Sequence, residues 1–346
     1  MRILILGASY GSLLSTKLLM AGHDVSLVCR SASAKLINEE GTVVRMQLRR
    51  GEDHKEFRSG DLPGSVDAII PEDVEPEAYD LVALAMQEPQ YSSPSVRDLM
   101  HKVAESGKPC LSIMNMPPLP FLKRIPKLAN LDFSDCYTDA RVWDGFKPGL
   151  VSLCSPDPQA FRPPDEGSNV LFVGLASNFK ATAFEAEKHN EMLSQLERDI
   201  TAVRIDGKRV PVKLSMHQSL FVPMAKWSML LTGNYRCVLQ DSVQSIRDAV
   251  HADIELSETI YSWVDDLART LGAETGDLVP FSSYAKAAEN LLKPSSVARA
   301  IAEGVKNIER VDKLVQRIGA GLEMQLDAID DTVGRVDHRL EQNASA

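Results

Sequence analysis

Four apolar residues in a row, Ile3-Leu4-Ile5-Leu6, open the chain. A short run without polar alternation predicts a strand buried on both faces of a parallel sheet. Gly7-Ala8-Ser9-Tyr10-Gly11-Ser12 follows, and then Leu13, Leu14, Leu18, Leu19 and Met20 recur at helical spacing. Ala21-Gly22-His23 ends that helix, with glycine where a C-cap belongs. His23 to Arg30 reads as a second strand, its apolar residues crowded at the far end. Strand, glycine turn, helix and strand in about 30 residues make a βαβ unit with a right-handed crossover.

The alternation of period continues. Strands are predicted at 42–49, 67–70, 79–86, 110–115 and 169–175, and helices at 93–105 and 183–200. Met116 to Pro126 holds four prolines and must be irregular, and Pro156 to Pro164 reads as a surface loop. Strands alternating with helices over some 200 residues predict an α/β fold, a Rossmann-type parallel-sheet domain over 1–208. From about Phe221 the pattern is helical. Ser257–Leu271 is amphipathic, Ser296–Met324 reads as one long charged helix, and breaks fall at Gly276–Pro280 and Lys293-Pro294. An all-helical second domain is therefore expected over 209–346, fraying from about Gln342. The cleft between the two domains is the expected place for a ligand.

Composition narrows the class. Apolar residues are 44% and charged residues 25% of 346, which argues against disorder. Formal net charge is −10, a poor match to nucleic acid or anionic membranes. No apolar run approaches the roughly 20 residues that span a bilayer, and the N-terminal run ends in a glycine turn, unlike a secretory leader. The five cysteines, at 29, 110, 136, 154 and 237, are odd in number and form no CxxC pair. Reduced thiols in a cytoplasmic protein are expected, with no metal site.

The turn after the first strand carries the cofactor chemistry. In a dinucleotide fingerprint, G-x-G-x-x-G lets backbone N–H groups and a helix N-terminus face a pyrophosphate. Here Gly7 fits the first position, Ser9 stands at the second, and Gly11 comes one residue early for the third. Small residues at 8, 9, 11 and 12 still permit close backbone approach. Gly7, Ala8, Ser9, Tyr10, Gly11 and Ser12 are therefore candidate cofactor residues. Arg30 lies 23 residues past Gly7 at the end of the second strand. An acidic residue there would bind a ribose 2′-hydroxyl, whereas arginine accommodates a 2′-phosphate, so NADP is favoured over NAD. Ser31, Ser33 and Lys35 add donors nearby.

At this point the chain resembles the ketopantoate reductase family of NADPH-dependent 2-oxo acid reductases, along nearly its whole length. Gly22-His23-Asp24-Val25 followed by Arg30 is similar to the family's first βαβ unit. Asp80–Met86 resembles a strand that in the family ends in a cofactor-binding lysine; Gln87 stands in its place. Asn115 matches the asparagine of a Gln-Asn-Gly turn near the nicotinamide, although this turn reads Met114-Asn115-Met116-Pro117-Pro118. Lys226 through Asn234 resembles the family's catalytic helix, a lysine and two asparagines at steps of four, with Leu230 in place of the first asparagine. On an α-helix these positions share a face, drifting about 40° per step. Lys293-Pro294-Ser295-Ser296 and Glu309 resemble the family's Ser-Ser turn and downstream carboxylate, at a spacing one residue longer; Glu303 and Asp312 are rivals for that role.

The resemblance implies hydride transfer from a nicotinamide to the C=O of a small 2-oxo acid. Lys226 would be general acid, Glu309 would orient it or bind a substrate hydroxyl, and Asn115, Asn234 and Ser296 would position substrate oxygens. An opine-type dehydrogenase reducing an imine, and an NADP-binding regulator without turnover, stay open, as does a homodimer. His217 is a lone histidine that reads as structural. No G-x-S-x-G nucleophile elbow is present.

Overall fold

The computed structural model describes residues 1–49 and 51–345. The opening pattern folds as read. β1 (Arg2–Leu6), α1 (Gly11–Met20), β2 (Asp24–Val28) and α2 (Ser31–Glu40) form the first βαβα run. β3 (Val43–Gln47) and β4 (His54–Arg58) then make an antiparallel pair before β5 (Val66–Ile69) and β6 (Leu81–Leu84). After α3 (Pro94–Ser106), β7 (Cys110–Ile113) and the single turn α4 (Leu119–Leu122), the chain adds β8 (Val151–Ser155), β9 (Gln159–Phe161), β10 (Val170–Leu175) and β11 (Phe179–Thr182). α5 (Glu187–Ala202), the small hairpin β12 (Arg204–Ile205) with β13 (Lys208–Arg209), and β14 (Leu214–His217) follow.

Among the described residues the main sheet has eight strands, in the order β14-β11-β8-β7-β6-β1-β2-β5. Every neighbouring pair is parallel except β8 with β11. Strand order reverses at β1, which pairs β2 on one side and β6 on the other. Sheets of this kind bind ligands outside the carboxyl ends of the strands at such a point. A second sheet, β4-β3-β10-β9, is a separate ladder whose Val44, Met46 and Leu171 share the core of the first. The core is built from β-strand residues such as Ile5, Leu27 and Ala83 against Leu13 and Leu18 of α1 and Leu196 and Ile200 of α5. α1 is buried along its whole length, including Lys17 at 0% exposure. A helix enclosed all round is apolar in content rather than amphipathic, which is why its leucines crowd together.

Residues 1–86, 90–124 and 141–218 form one compact unit; residues 87–89, 125–140 and 219–346 form another. These limits differ from a division at 208/209. β14 pairs with β11 and so belongs with the sheet, and two short internal segments cluster with the helices.

The second unit contains α6 (Lys226–Met229), α7 (Ile246–His251), α8 (Ile254–Leu271), α9 (Phe281–Ala288), α10 (Ser296–Ala302), α11 (Val311–Gly321) and α12 (Asp327–Ser345). The expected single helix over 296–324 is two. Gly304, at φ +86°, ends α10 with the paired bonds Gly304 N–H to Ile301 O at 3.1 Å and Val305 N–H to Ala300 O at 3.0 Å. That is a Schellman closure, and only glycine takes this φ cheaply. The helix at the C-terminus runs through Ser345, past the position expected to fray. Among the described residues no helix is long and apolar enough to cross a membrane.

Candidate active site

In the first unit the turn between β1 and α1 is set by two glycines. Gly7 sits at φ +106°, and a Cβ there would lie 2.7 Å from the Ala85 carbonyl oxygen. Gly11 lets α1 close on the sheet, since its Cβ would stand 2.6 Å from Ile5 Cγ2. Gly7 N–H donates to Val28 O at 3.0 Å, tying the turn to the end of β2. Ser12 Oγ donates back to Ala8 O and fixes the turn from inside. The Tyr10 hydroxyl donates to Pro158 O at 2.7 Å, and its ring meets Phe179 edge-on. The Tyr10 side chain thus serves packing, and its backbone is what it offers a ligand.

The amides of Ala8, Ser9, Tyr10 and Gly11 donate to no acceptor among the described residues. They sit at the N-terminus of a ten-residue helix, at the reversal point of the sheet. Oriented N–H groups and the positive end of a helix dipole suit a pyrophosphate. The donor set therefore fits the phosphates of a dinucleotide. Arg30, exposed, directly precedes α2, whose first residue is the exposed Ser31. Asn115 lies just past the end of β7 and is half-buried. His217 closes β14, its carbonyl accepting from Ala183 N–H at 2.8 Å.

Gln87, expected beside the cofactor, is exposed and clusters with the second unit. Its neighbour Glu88 is the residue that turns inward, and the sequence reading missed it. Glu88 is 3% exposed; Thr138 donates to its two oxygens from N–H and Oγ1, each at 2.9 Å. Burial still holds its carboxyl above the usual carboxylate value. The Glu88 N–H in turn points at Glu309 Oε1, at 3.4 Å.

The second unit carries the other candidates. Lys226 and Asn234 are half-buried on one helical stretch, and Leu230 between them is buried. This stretch is not a plain α-helix: Leu230–Asn234 is a π turn. The Tyr284 hydroxyl donates to Met229 O at 3.1 Å, the carbonyl that Gly233 N–H would take in an α-helix. Gly233 makes room for it, since a Cβ there would fall 2.0 Å from the Tyr284 oxygen. An inserted hydroxyl of this kind opens the i→i−4 ladder. One extra residue per turn winds the helix back, so Asn234 returns toward the side of Lys226 instead of drifting from it.

Ser295 Oγ donates to Asn234 O at 2.7 Å and caps α10 by accepting from Ala298 N–H at 3.1 Å. Ser296, the predicted positioning residue, is the first residue of α10 and is exposed. The Tyr235 hydroxyl donates to Glu309 O at 2.5 Å and accepts from Val311 N–H at 3.0 Å. Asn234, Ser295 and Glu309 are thus joined through backbone anchors. Among the rival acids, Glu303 is exposed at the end of α10. Asp312 is fully buried but held by both arms of Arg310 at 3.0 Å. Glu309 is the acid whose backbone is anchored next to Asn234. Among the described residues no three His, Cys, Asp or Glu side chains gather as metal ligands.

No protein-family model matches the chain, and no curated protein matches it. Solved structures do. A protein assigned as a ketopantoate reductase from Ralstonia solanacearum superposes with a TM-score of 0.70 at 18% identity, covering 99% of this chain and 98% of that one. D-mandelate dehydrogenase in a ternary structure with NADH and anilino(oxo)acetate gives 0.66 at 14%, covering 99% of each. 2-Dehydropantoate 2-reductase from Methylococcus capsulatus gives 0.66 at 13%, covering 100% of this chain and 99% of that one. The resemblance read from the sequence returns as a likeness of fold along the full chain: a Rossmann-type sheet followed by helices, as in the ketopantoate reductases and D-mandelate dehydrogenase.

Proposed function

We propose that the protein is a nicotinamide-dependent oxidoreductase that reduces the carbonyl of a small 2-oxo acid to a 2-hydroxy acid, with NADP preferred over NAD. The observation that carries this reading is the β1–α1 turn, whose four amides have no acceptor among the described residues. The amides of Ala8 to Gly11 would hold the pyrophosphate, Arg30 and Ser31 the ribose phosphate, and Asn115 the nicotinamide end. When bound, the reduced nicotinamide supplies hydride to the carbonyl carbon.

The chain's own residues must then deliver a proton and a positive charge to the carbonyl oxygen. Lys226 Nζ is the donor in this reading, since an ammonium does both. The π turn supports it by returning Asn234 to the side of Lys226, where its amide can hold a substrate oxygen. Glu309, its backbone fixed by Tyr235, is the carboxylate that orients the lysine or accepts from a substrate hydroxyl. The dehydrogenase of the same fold that holds anilino(oxo)acetate supports an oxo acid as the substrate class, and its NADH makes NADH the cofactor to compare.

The test is a screen of 2-oxo acids with NADPH and with NADH, each with and without an added amine. Oxidation of NADPH by an oxo acid alone supports the reading. Turnover only with amine makes the enzyme an imine-reducing dehydrogenase. Tight NADPH binding with no turnover on any substrate makes it a cofactor-binding regulator.

A further inference from the structure

Arg162 is half-buried and has no acidic partner among the described residues. It follows β9, on the stretch between β8 and β10 that the sequence marks only as a proline-rich surface loop. The fold brings that stretch back over the first βαβ unit. Pro158 O accepts from the Tyr10 hydroxyl at 2.7 Å, at the head of α1. Ser168 Oγ meets Ser33 Oγ at 3.3 Å, in the first turn of α2. Asn169 Nδ2 donates to Gly41 O at 2.9 Å, at the far end of α2. Arg162 lies between these anchors, half-buried, and its neighbours in charge are Cys29 and Arg30.

The Arg162 guanidinium lies within reach of the Arg30 charge, and like charges repel unless an anion lies between them. Among the described residues neither Arg30 nor Arg162 has a carboxylate in ion-pairing reach. The nearest acids in sequence do not serve: Glu166 is taken by Arg45 at 2.5 Å, and Asp165 is exposed. Burial first, and then the Arg30 charge, pull the Arg162 pKa down from its ordinary value, against an upward pull from Cys29. Two arginines from different segments, one of them at the end of β2 and directly before a helix N-terminus, supply the planar donors that a phosphate dianion takes.

We propose that Arg162 is the second cation of a two-arginine clamp with Arg30, and that the clamp selects the ribose 2′-phosphate of the cofactor. This rests on the dinucleotide-binding reading above and adds a specificity-determining residue to it. Arg30 enters from the strand end and Arg162 from a separate, later segment, so the clamp closes only when β9 and β10 have folded back.

The direct test uses 2′,5′-ADP and 5′-AMP as probes, measured by calorimetry on the full chain. Arg162→Gln is expected to weaken 2′,5′-ADP about ten- to a hundredfold, the range of one charge-assisted contact, with 5′-AMP little changed. Arg162→Lys should recover part of the loss, since it keeps charge without the fork. A second readout locates the site. Cys29 is the only partly exposed thiol among the described residues; it precedes Arg30 in the chain and feels the charge of Arg162. Saturating 2′,5′-ADP should slow its alkylation by a maleimide in the wild type, and in Arg162→Gln only at proportionately higher concentration. Wild-type affinity for 2′,5′-ADP in Arg162→Gln, or alkylation of Cys29 indifferent to the saturating probe, would overturn the clamp while leaving cofactor binding in place. A wild-type chain that binds neither probe would overturn the dinucleotide reading itself.

Discussion

Lys17 gives a stability test that needs no ligand. It is fully buried in α1, where its Nζ donates to Pro211 O at 2.8 Å. Burial, with the charge of Lys213 behind it, lowers its pKa from 10.5 to about 7. A lysine depressed in the fold binds its proton more tightly when unfolded. Between about pH 7 and 10.5 the unfolded chain therefore holds more protons, and stability rises with pH across that window. At about 1.4 kcal/mol per pKa unit, the charge costs the fold about 5 kcal/mol below pH 7. From pH 7.5 to 9 the cost falls by about 2 kcal/mol on the same arithmetic. For a unit of this size that is about 4–8 °C in melting temperature. Lys17→Met keeps an unbranched stem and removes the charge. The loss of the bond to Pro211 is a constant offset, so the diagnostic quantity is the change with pH. The melting temperature of Lys17→Met minus that of wild type, read by circular dichroism, should drop by that amount between pH 7.5 and 9. Parallel curves across the window would refute a lysine buried in the way described.

Three further outcomes are expected. Lys226→Ala should lose about 10²–10⁴ in kcat on an identified oxo acid while still binding NADPH, and Lys226→Arg should not restore the rate; full turnover in the alanine variant would end its role as proton donor. Arg30→Ala should raise the Kd for NADPH about ten- to a hundredfold and barely move that for NADH, and equal losses for both would remove the case for NADP. Gly233→Ala should destabilise the chain by about 1–3 kcal/mol, because its methyl meets the Tyr284 hydroxyl, and Tyr284→Phe in the same chain should recover part of that in a thermal melt. An unchanged melt for Gly233→Ala would show that Tyr284 does not hold the π turn.

The parts of the fold that local pattern governs were legible. β1, the glycine turn, α1 and β2 follow from apolar runs and two glycines whose reasons are steric: one at φ +106°, one against Ile5. The charged run 296–324 reads as one helix, yet Gly304 inside it is the local signal that divides α10 from α11. The short strands β8, β11 and β14 escaped because four or five residues carry little periodicity, and their pairing is decided by partners distant in sequence. The same is true of the site. Lys226 and Asn234 could be singled out by a motif, but the π turn depends on Tyr284, fifty residues away, and Glu88 comes to Glu309 from 221 residues before it. Arg162 was invisible for the same reason: nothing in a proline-rich loop says which strand end it will return to.

The second unit is made from three pieces of chain, 87–89, 125–140 and 219–346. This bears on how the protein is made. Leu128, Phe133 and Cys136, all buried in the finished fold, leave the ribosome long before the helices of their unit. Asp135 waits likewise for Arg317, and Lys127 for the Thr270 carbonyl. At about 5–20 residues per second, the stretch from 140 to Val336, the last buried core residue of that unit, takes roughly 10–40 s to synthesise. For that time an apolar segment is threaded out of a sheet domain that is itself unfinished until residue 218. Nascent chains should therefore draw holdase chaperones to 125–140. A fragment beginning at 219, cut as a domain on sequence alone, would be born without part of its own core.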